Sequence, residues 1–428
     1  IRTERRLGDA PDGSTLLFAL TSKARSAGKE FEQAASEFSA HMKDLLYFDP
    51  SSKSKGYEFV ELWINDQIRN SDTFAGLCSY GKVFSDKAEK LVKACQDIVA
   101  YLEDLDGAAE LQREIASTAI ALKEMINAAE TILVSAPPTY AYAASLSKKN
   151  DRVAESLQAL LLDVGDKMNE TLYANTPSVV FASATMTVDG KFSAFEQSLG
   201  LNKTEFSQTS MCELPSSYNF DEQMTVYVVE DMPEPNAPGY LEALQELLIG
   251  VHRAQNGSML TLFTNRKEME RCYDVVQPIL KSDDLRLVCQ KWGVSVKGLR
   301  DDFLVDEHLS LFALKSFWEG FDAPGATLKG VVIPKLPFTK PSDPLSCERA
   351  DRDSHAWSHY VLPAAVLETK QAAGRLIRKS TDSGSLILAD KRLLTKGYGK
   401  AFLNSLPSKT IKVCTMAETI RCIERETD

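Results

Sequence analysis

The sequence predicts an α/β protein in which a doubly wound parallel sheet follows a long helical region. The helical region is indicated by apolar residues that recur every three or four positions between residues 14 and 173, for example in DKAEKLVKACQDIVAYLEDL at 86–105. After Pro177 the pattern changes to short runs rich in β-branched residues, and helical patterns separate several of these runs. Strands that are buried on both faces and alternate with helices are typical of a parallel sheet covered by helices on both sides.

Length and composition limit the classes of function. A chain of 428 residues is too long for one ordinary core, so two or three domains are expected. The hydrophobic share of 44% and the charged share of 25% are ordinary for a soluble globular protein. No apolar run approaches the roughly 20 residues that a membrane span needs. The net charge of −11 argues against a protein that coats nucleic acid indiscriminately, but it allows a local basic channel.

The eight cysteines are scattered and form no C-x-x-C pair. We therefore expect neither a structural zinc site nor a disulfide framework, and reduced thiols in a cytoplasmic protein fit this pattern best. The helical region is interrupted at Asp49-Pro50, Gly107 and Pro137-Pro138, where helices are expected to end. It contains no constellation of catalytic residues, and an antiparallel helical spacer is the simplest interpretation.

Six apolar runs after Pro177 are predicted strands: 178–183, 224–230, 258–264, 309–314, 328–334 and 384–390. Predicted helices at 240–254 and 266–280 separate some of them. Ligands of such sheets bind beyond the carboxyl ends of the strands. Three polar clusters directly follow predicted strands, and a fourth leads into the last predicted strand. The candidate site residues come from these four clusters.

The first three clusters directly follow predicted strands. Ser183 and Thr185 end the first run, in the sequence SATM. Thr264-Asn265-Arg266 ends the third run, at a predicted helix N-terminus that suits a phosphate. In KSFWEGFDAPG, after the fourth run, Glu319 and Asp322 flank Gly320.

The fourth cluster is QAAGRLIRKSTDSG at 371–384, which leads into the last predicted strand. As a helix it would present Gln371, Arg375 and Arg378 on one face, since they stand at i, i+4 and i+7. Gly374 would let a ligand or another backbone come close. Two adjacent guanidinium groups suit phosphate recognition. An amphipathic helix whose arginines lie in solvent is the alternative.

Four of these motifs, in this order, resemble a known family: SATM, LTLFTNRKEME, SFWEGFDAPG and QAAGRLIRK are similar to motifs III, IV, V and VI of superfamily 2 helicases of the XPD/DinG branch. IPKLPFTKPSDPL, YVLPAAVLETKQ and DKRLLTKGYGKAFLNSLP resemble bacterial DinG specifically. The resemblance covers about residues 176–410. It implies an all-helical Arch-like region at 1–175, a motif III strand and connector from the first lobe at 176–205, and a second RecA-like helicase lobe at 206–428.

The resemblance also implies roles for the candidate residues. The family couples ATP hydrolysis to 5′–3′ unwinding of DNA, so Arg375 and Arg378 would act as arginine fingers on the γ-phosphate, and Gln371 would orient them or contact the phosphate. The residues expected to couple the ATP cleft to DNA or to relay between the lobes are Glu319, Gly320, Asp322, Gly374, Ser183 and Thr185. The residues expected to hold the DNA backbone are Thr264, Asn265, Arg266 and Ser316. Single-stranded or forked DNA is the implied partner. The protein is expected to be a monomer that does not bind a membrane.

Several expected parts of such a motor are missing from this sequence. It contains no G-x-x-x-x-G-K-[ST] loop, and DEHL at 306–309 lies in the wrong place for the family's D-E-A-H motif, so a loop is predicted there. ATP and Mg²⁺ would then be bound mainly by an upstream lobe, and this chain alone would be inactive. We expect no metal site and no iron–sulfur cluster in it. If the chain is a whole protein, an ATP-independent module that binds DNA or a partner is the alternative. Trp318 is expected to be a core residue rather than a base-stacking one.

Overall fold

The computed structural model describes residues 14–46, 59–103, 105, 107–149, 152–203, 209–291, 293–318 and 327–427. The chain forms two compact units. The first comprises residues 1–163 together with 340–354, and the second comprises 164–339 together with 355–428. No helix within these described ranges is long and apolar enough to cross a membrane.

The helices and strands are numbered in chain order. The helices are α1 Ser14–Leu46, α2 Asp66–Arg69, α3 Asp72–Glu103, α4 Ala109–Glu130, α5 Val164–Thr171, α6 Ser193–Leu199, α7 Phe220–Gln223, α8 Tyr240–Ala254, α9 Arg266–Ser282, α10 Val296–Val305, α11 Pro344–Arg352, α12 Leu362–Ala373, α13 Arg392–Thr395, α14 Gly399–Ser405 and α15 Met416–Thr427. The strands are β1 Phe59–Trp63, β2 Tyr140–Lys149, β3 Arg152–Leu161, β4 Met224–Val229, β5 Met259–Leu262, β6 Leu287–Cys289, β7 Ser310–Ala313, β8 Gly330–Ile333, β9 Gly384–Leu388 and β10 Ile411–Cys414.

The first unit is dominated by the long helices α1, α3 and α4, as the sequence predicts, but it is not all-helical. An antiparallel sheet of order β1-β2-β3 lies beside the helices, and the expectation of an all-helical region is wrong to that extent. The central strand contains Ala141, Ala143 and Ala144, all fully buried. Alanine has the highest helix propensity, so the local pattern indicated a helix. Pairing with strands on both sides overrides that propensity.

Helix α11 belongs to the first unit although it lies far along the chain. Asp343 caps it by accepting a hydrogen bond from the Ser346 amide at 2.8 Å. Trp63 of β1 donates its indole N–H to Glu348 at 2.7 Å, and Arg349 donates to the Leu162 carbonyl at 2.8 Å. The sequence shows no sign of this return, because the contacting residues are separated by well over one hundred positions.

The second unit contains a seven-stranded sheet in which every neighbouring pair is parallel. Its strand order is β10-β4-β9-β8-β5-β7-β6, the doubly wound, RecA-like arrangement that the sequence predicts. Five of the six predicted runs form strands, β4, β5, β7, β8 and β9. The edge strands β6 and β10 were not predicted: β6 has only three residues, and β10 is a partly exposed strand interrupted by Lys412 rather than an apolar run.

The predicted strand at 178–183 is wrong for this structure. These residues have no regular secondary structure, and the Val180 side chain is 88% exposed. A strand needs hydrogen-bonding neighbours, and no strand among the described residues pairs with this segment. The β-branched residues favour a strand, but without a neighbouring strand to pair with, the segment does not form one.

Alternate residues of the strands pack into two cores, one on each face of the sheet. Val226 and Val228 of β4 contribute to the core covered by α10, α12 and α14, while Tyr227 and Val229 contribute to the core covered by α8, α9 and α15. The sheet is buried on both sides, so the side chains accessible at its rim come from the loops that follow the strands.

His252 of α8 lies fully buried in this unit and makes the unit sensitive to acid. Its Nδ1 is 2.9 Å from Ser310 Oγ and its Nε2 is 3.3 Å from Thr261 Oγ1. Burial lowers the pKa of His252 from 6.5 to about 3. Between these values the unfolded chain binds a proton that the folded chain does not, so stability falls as pH decreases from 6.5 towards 3. The loss over this range is on the order of 4 kcal/mol.

The measurement is the free energy of unfolding against pH. His252→Gln keeps hydrogen-bonding capacity without titrating in this range and should remove most of this slope. His308→Gln, at an exposed position, is the matched control and should keep it. Equal slopes in the two variants would contradict the assignment to His252.

Candidate functional site

Several predicted site residues of the second unit lie in segments that directly precede or directly follow its strands. They form two groups. The first surrounds the end of α12 and contains Gln371 and Arg375. The second follows the neighbouring strands β5, β7 and β6 and contains Arg266 and Ser316.

The predicted helix over 371–378 is wrong beyond Ala373, where α12 ends at Gly374. Asp382 accepts hydrogen bonds from the backbone amides of Arg378 at 2.9 Å and Lys379 at 2.8 Å. Those amides would have to bond to carbonyls four residues earlier for the helix to continue. Leu376 and Ile377 are both buried in the sheet core, which also takes the chain away from the helix axis. Arg375 and Arg378 are therefore carried by a turn rather than by a helix face.

Arg375 is almost completely buried, with 8% of its surface exposed. Its Nη2 donates to the backbone carbonyl of Trp318 at 2.8 Å. Trp318 is itself 1% exposed, which confirms its prediction as a core residue. The solvated-arginine alternative is thus wrong for Arg375. Arg378 is half-buried, and its carbonyl accepts a hydrogen bond from the Tyr218 hydroxyl at 2.7 Å.

Gln371, on the last turn of α12, meets the SATM segment. Its Nε2 donates to Thr185 Oγ1 at 3.3 Å, and the Thr185 amide is held by Ser183 Oγ at 3.2 Å. The Gln371 Oε1 atom is buried and has no hydrogen-bond partner among the described residues. A buried acceptor of this kind costs free energy unless a donor reaches it, so Gln371 is suited to receive one.

Lys370 was not predicted as a site residue, but it makes a second link between the same two segments. Its Nζ donates to Thr187 Oγ1 at 3.0 Å, and burial lowers the pKa of Lys370 below its usual range. Its position next to Gln371 was the one available signal in the sequence. Glu319, Gly320 and Asp322 lie outside the described residues.

The second group begins after β5. Thr264 and Asn265 are exposed, and Asn265 Oδ1 caps α9 by accepting from the amides of Lys267 at 2.9 Å and Glu268 at 3.3 Å. Arg266 donates Nη1 to the carbonyl of Gln290 at 2.8 Å. The Asn265 side-chain carbonyl is thereby committed to the helix, while the arginine is held against the loop that follows β6.

Ser316 lies on the short turn after β7 and is exposed. Its Oγ is 2.8 Å from Gln290 Nε2, and its carbonyl accepts from Arg300 Nη2 at 2.7 Å. Gln290 therefore joins the loops that carry Arg266 and Ser316. The sequence offered no motif that would have singled out this glutamine.

This geometry suits recognition of phosphate groups and offers no metal centre within the described ranges. No three histidine, cysteine, aspartate or glutamate side chains of the described residues are placed to hold a metal ion. DEHL at 306–309 forms the loop that leads into β7, as predicted.

Comparison with known proteins identifies this unit. Residues 248–409 match the helicase C-terminal domain family. The chain is 35% identical over 251 residues to the ATP-dependent DNA helicase YoaA of Escherichia coli, covering 58% of this chain and 38% of that protein. It is 31% identical over 281 residues to the 3′-5′ exonuclease DinG of Bacillus subtilis, covering 64% of this chain and 30% of that protein. A solved structure titled XPD helicase matches with a TM-score of 0.48 at 16% identity, covering 74% of this chain and 55% of that one.

The second unit thus contains a helicase C-terminal domain with a RecA-like sheet. More closely, the chain is similar to helicases of the DinG type, the family that its motifs resemble. The chain spans between 30% and 38% of the length of these two curated relatives.

Proposed function

We propose that this chain is the C-terminal part of an ATP-dependent DNA helicase that moves 5′ to 3′. An upstream first lobe supplies the Walker A loop and the DEAH motif, which bind ATP and Mg²⁺. Gln371, Arg375 and Arg378 approach the γ-phosphate from the second lobe and neutralise the charge that develops on it during transfer.

One observation carries the proposal: the stretch that matches the helicase C-terminal domain family includes Gln371, which bonds to Thr185 of the SATM segment. A residue that faces ATP and also touches the segment leading from the first lobe can transmit the state of the nucleotide. In this proposal Ser183, Thr185 and Gly374 serve that relay, together with Glu319, Gly320 and Asp322.

The DNA contacts are assigned to the second group. Thr264, Asn265, Arg266 and Ser316 hold phosphates of single-stranded or forked DNA, which requires no sequence preference. The protein acts as a monomer in the cytoplasm, a location supported by eight free cysteines.

A second candidate is an ATP-independent module that keeps the helicase fold and binds DNA or a partner. It is favoured by the burial of Arg375, whose Nη2 is occupied by the Trp318 carbonyl. The two candidates differ in whether the protein that also carries the first lobe hydrolyses ATP.

The purified 428-residue chain is expected to bind single-stranded DNA weakly and to hydrolyse ATP no faster than background. If about three phosphates are neutralised, affinity should fall roughly twentyfold between about 50 and 200 mM salt. Titration of a labelled thymidine oligonucleotide and a coupled ATPase assay measure both. Affinity that does not depend on salt would contradict the phosphate contacts. DNA-stimulated turnover by this chain would contradict the need for an upstream lobe.

A further inference from the structure

Gln290 stands at the point where three loops of the second unit meet. It directly follows β6 and is 7% exposed. Its backbone amide donates to the Phe312 carbonyl of β7 at 2.9 Å, and its carbonyl accepts from Arg266 Nη1 at 2.8 Å. Its side chain reaches the turn after β7, so it contacts the loops that carry both Arg266 and Ser316.

The orientation of the Gln290 amide is determined by its partners. The Leu314 backbone amide lies 2.8 Å from Oε1, and because a backbone N–H can only donate, that atom must be the carbonyl oxygen. The opposite end, Nε2, lies 2.8 Å from Ser316 Oγ. An amide NH₂ group can only donate, so the serine oxygen accepts this hydrogen bond.

A serine hydroxyl that already accepts a hydrogen bond still has its own proton to donate. Ser316 is exposed, and none of the described residues accepts that proton. The Gln290 bond also polarises the hydroxyl, which makes it a better donor to an anion. Arg300 holds the Ser316 carbonyl at 2.7 Å, so the backbone beneath the hydroxyl is fixed.

We propose that Gln290 is a positioning residue that keeps the Ser316 hydroxyl oriented as a donor to a phosphate oxygen of the DNA backbone. The backbone carbonyl of Gln290 holds Arg266 beside the same proposed DNA backbone contact. The inference rests on the proposed contact between Ser316 and DNA, and it adds a buried residue that itself touches no DNA.

The test reverses the direction of the hydrogen bond between the side chains of residue 290 and Ser316. In Gln290→Glu one carboxylate oxygen still accepts from Leu314, but the other is an acceptor and captures the Ser316 proton. Affinity of the 428-residue chain for a labelled thymidine oligonucleotide should fall about tenfold, to the level of Ser316→Ala. The salt dependence should keep its slope, because no cation has been removed. Val294→Glu adds the same charge at an exposed position after β6 and should leave the affinity within about twofold.

The double variant Gln290→Glu/Ser316→Ala decides between a shared and a separate role. If Gln290 acts through Ser316, the double variant binds no more weakly than either single one. If the fold-losses of DNA affinity in the two single variants multiply in the double variant, the inference is overturned. Weakened binding by Ser316→Ala with parental binding by Gln290→Glu overturns it as well, but leaves the DNA contact standing. Parental binding by Ser316→Ala removes the DNA contact and the inference together.

A thermal melt of each variant separates misfolding from repositioning. Should Gln290→Glu melt lower, Gln290→Met replaces it, since methionine fills a similar volume but neither donates nor fixes the hydroxyl. A merely structural role predicts that the losses of Gln290→Met and Ser316→Ala multiply, which overturns the inference. The positioning role predicts that Gln290→Met has no further effect once Ser316 is alanine.

Discussion

Replacing Arg378 by alanine is expected to abolish DNA-stimulated ATP hydrolysis in a protein that carries both lobes, while its thermal melt stays unchanged. Loss of an arginine finger costs about 10³–10⁵ in turnover in related phosphoryl-transfer enzymes. The turn that carries Arg378 is held by its backbone, through the Asp382 carboxylate and the Tyr218 hydroxyl. Alanine keeps both of those bonds, so the fold should tolerate the change.

Lys379→Ala is the matched control, because Lys379 is the exposed next residue and its amide bonds to the same aspartate. It should retain parental turnover. Arg378→Lys keeps the charge but loses the planar fork, and intermediate turnover is expected. Parental turnover in Arg378→Ala with a normal melt would remove the catalytic role.

Arg375→Ala should behave differently, because its side chain is buried and donates to the Trp318 carbonyl. Removing it leaves a buried acceptor without that donor, which costs about 1–3 kcal/mol. Both turnover and melting temperature should therefore fall. A solvent-exposed arginine would cause no such loss of stability, so the burial of Arg375 is the reason for it.

Asp390→Ala is expected to have the largest effect on stability, about 3–5 kcal/mol, because it leaves a partly buried guanidinium without its carboxylate. Asp390 follows β9 and is 1% exposed. Arg392 forms a bidentate ion pair with it, with Nη2 at 2.6 Å from Oδ2 and Nε at 2.9 Å from Oδ1. Oδ2 also accepts from the Leu336 amide at 2.9 Å, which fixes the loop after β8.

Asp283→Ala is the matched control. Asp283 pairs with Arg253 at 2.8 Å, but the two side chains are 35% and 49% exposed, so its loss should cost less than about 1 kcal/mol. Chemical denaturation of the 428-residue chain measures both. Similar losses for the two aspartates would show that burial does not determine the contribution of Asp390.

The sequence by itself determined the strand-and-helix order of the second unit and the positions of its motifs. The runs that became β4, β5, β7, β8 and β9 are apolar because both faces of a parallel sheet are buried, and that pattern is local. The site residues Thr264, Arg266 and Ser316 were found because they follow such runs, while Gln371 was found through its motif.

The tertiary structure alone decided features that depend on residues distant in sequence. The end of α12 at Ala373 depends on Asp382, and the role of Gln290 depends on Leu314 and Ser316. The association of α11 with β1 depends on Glu348 and Trp63. Apolar periodicity reports which side of an element is buried, but not which distant polar group its backbone or side chain will bond to. That choice is made only in the folded chain, because a buried donor or acceptor must find its partner among the segments that the fold brings together.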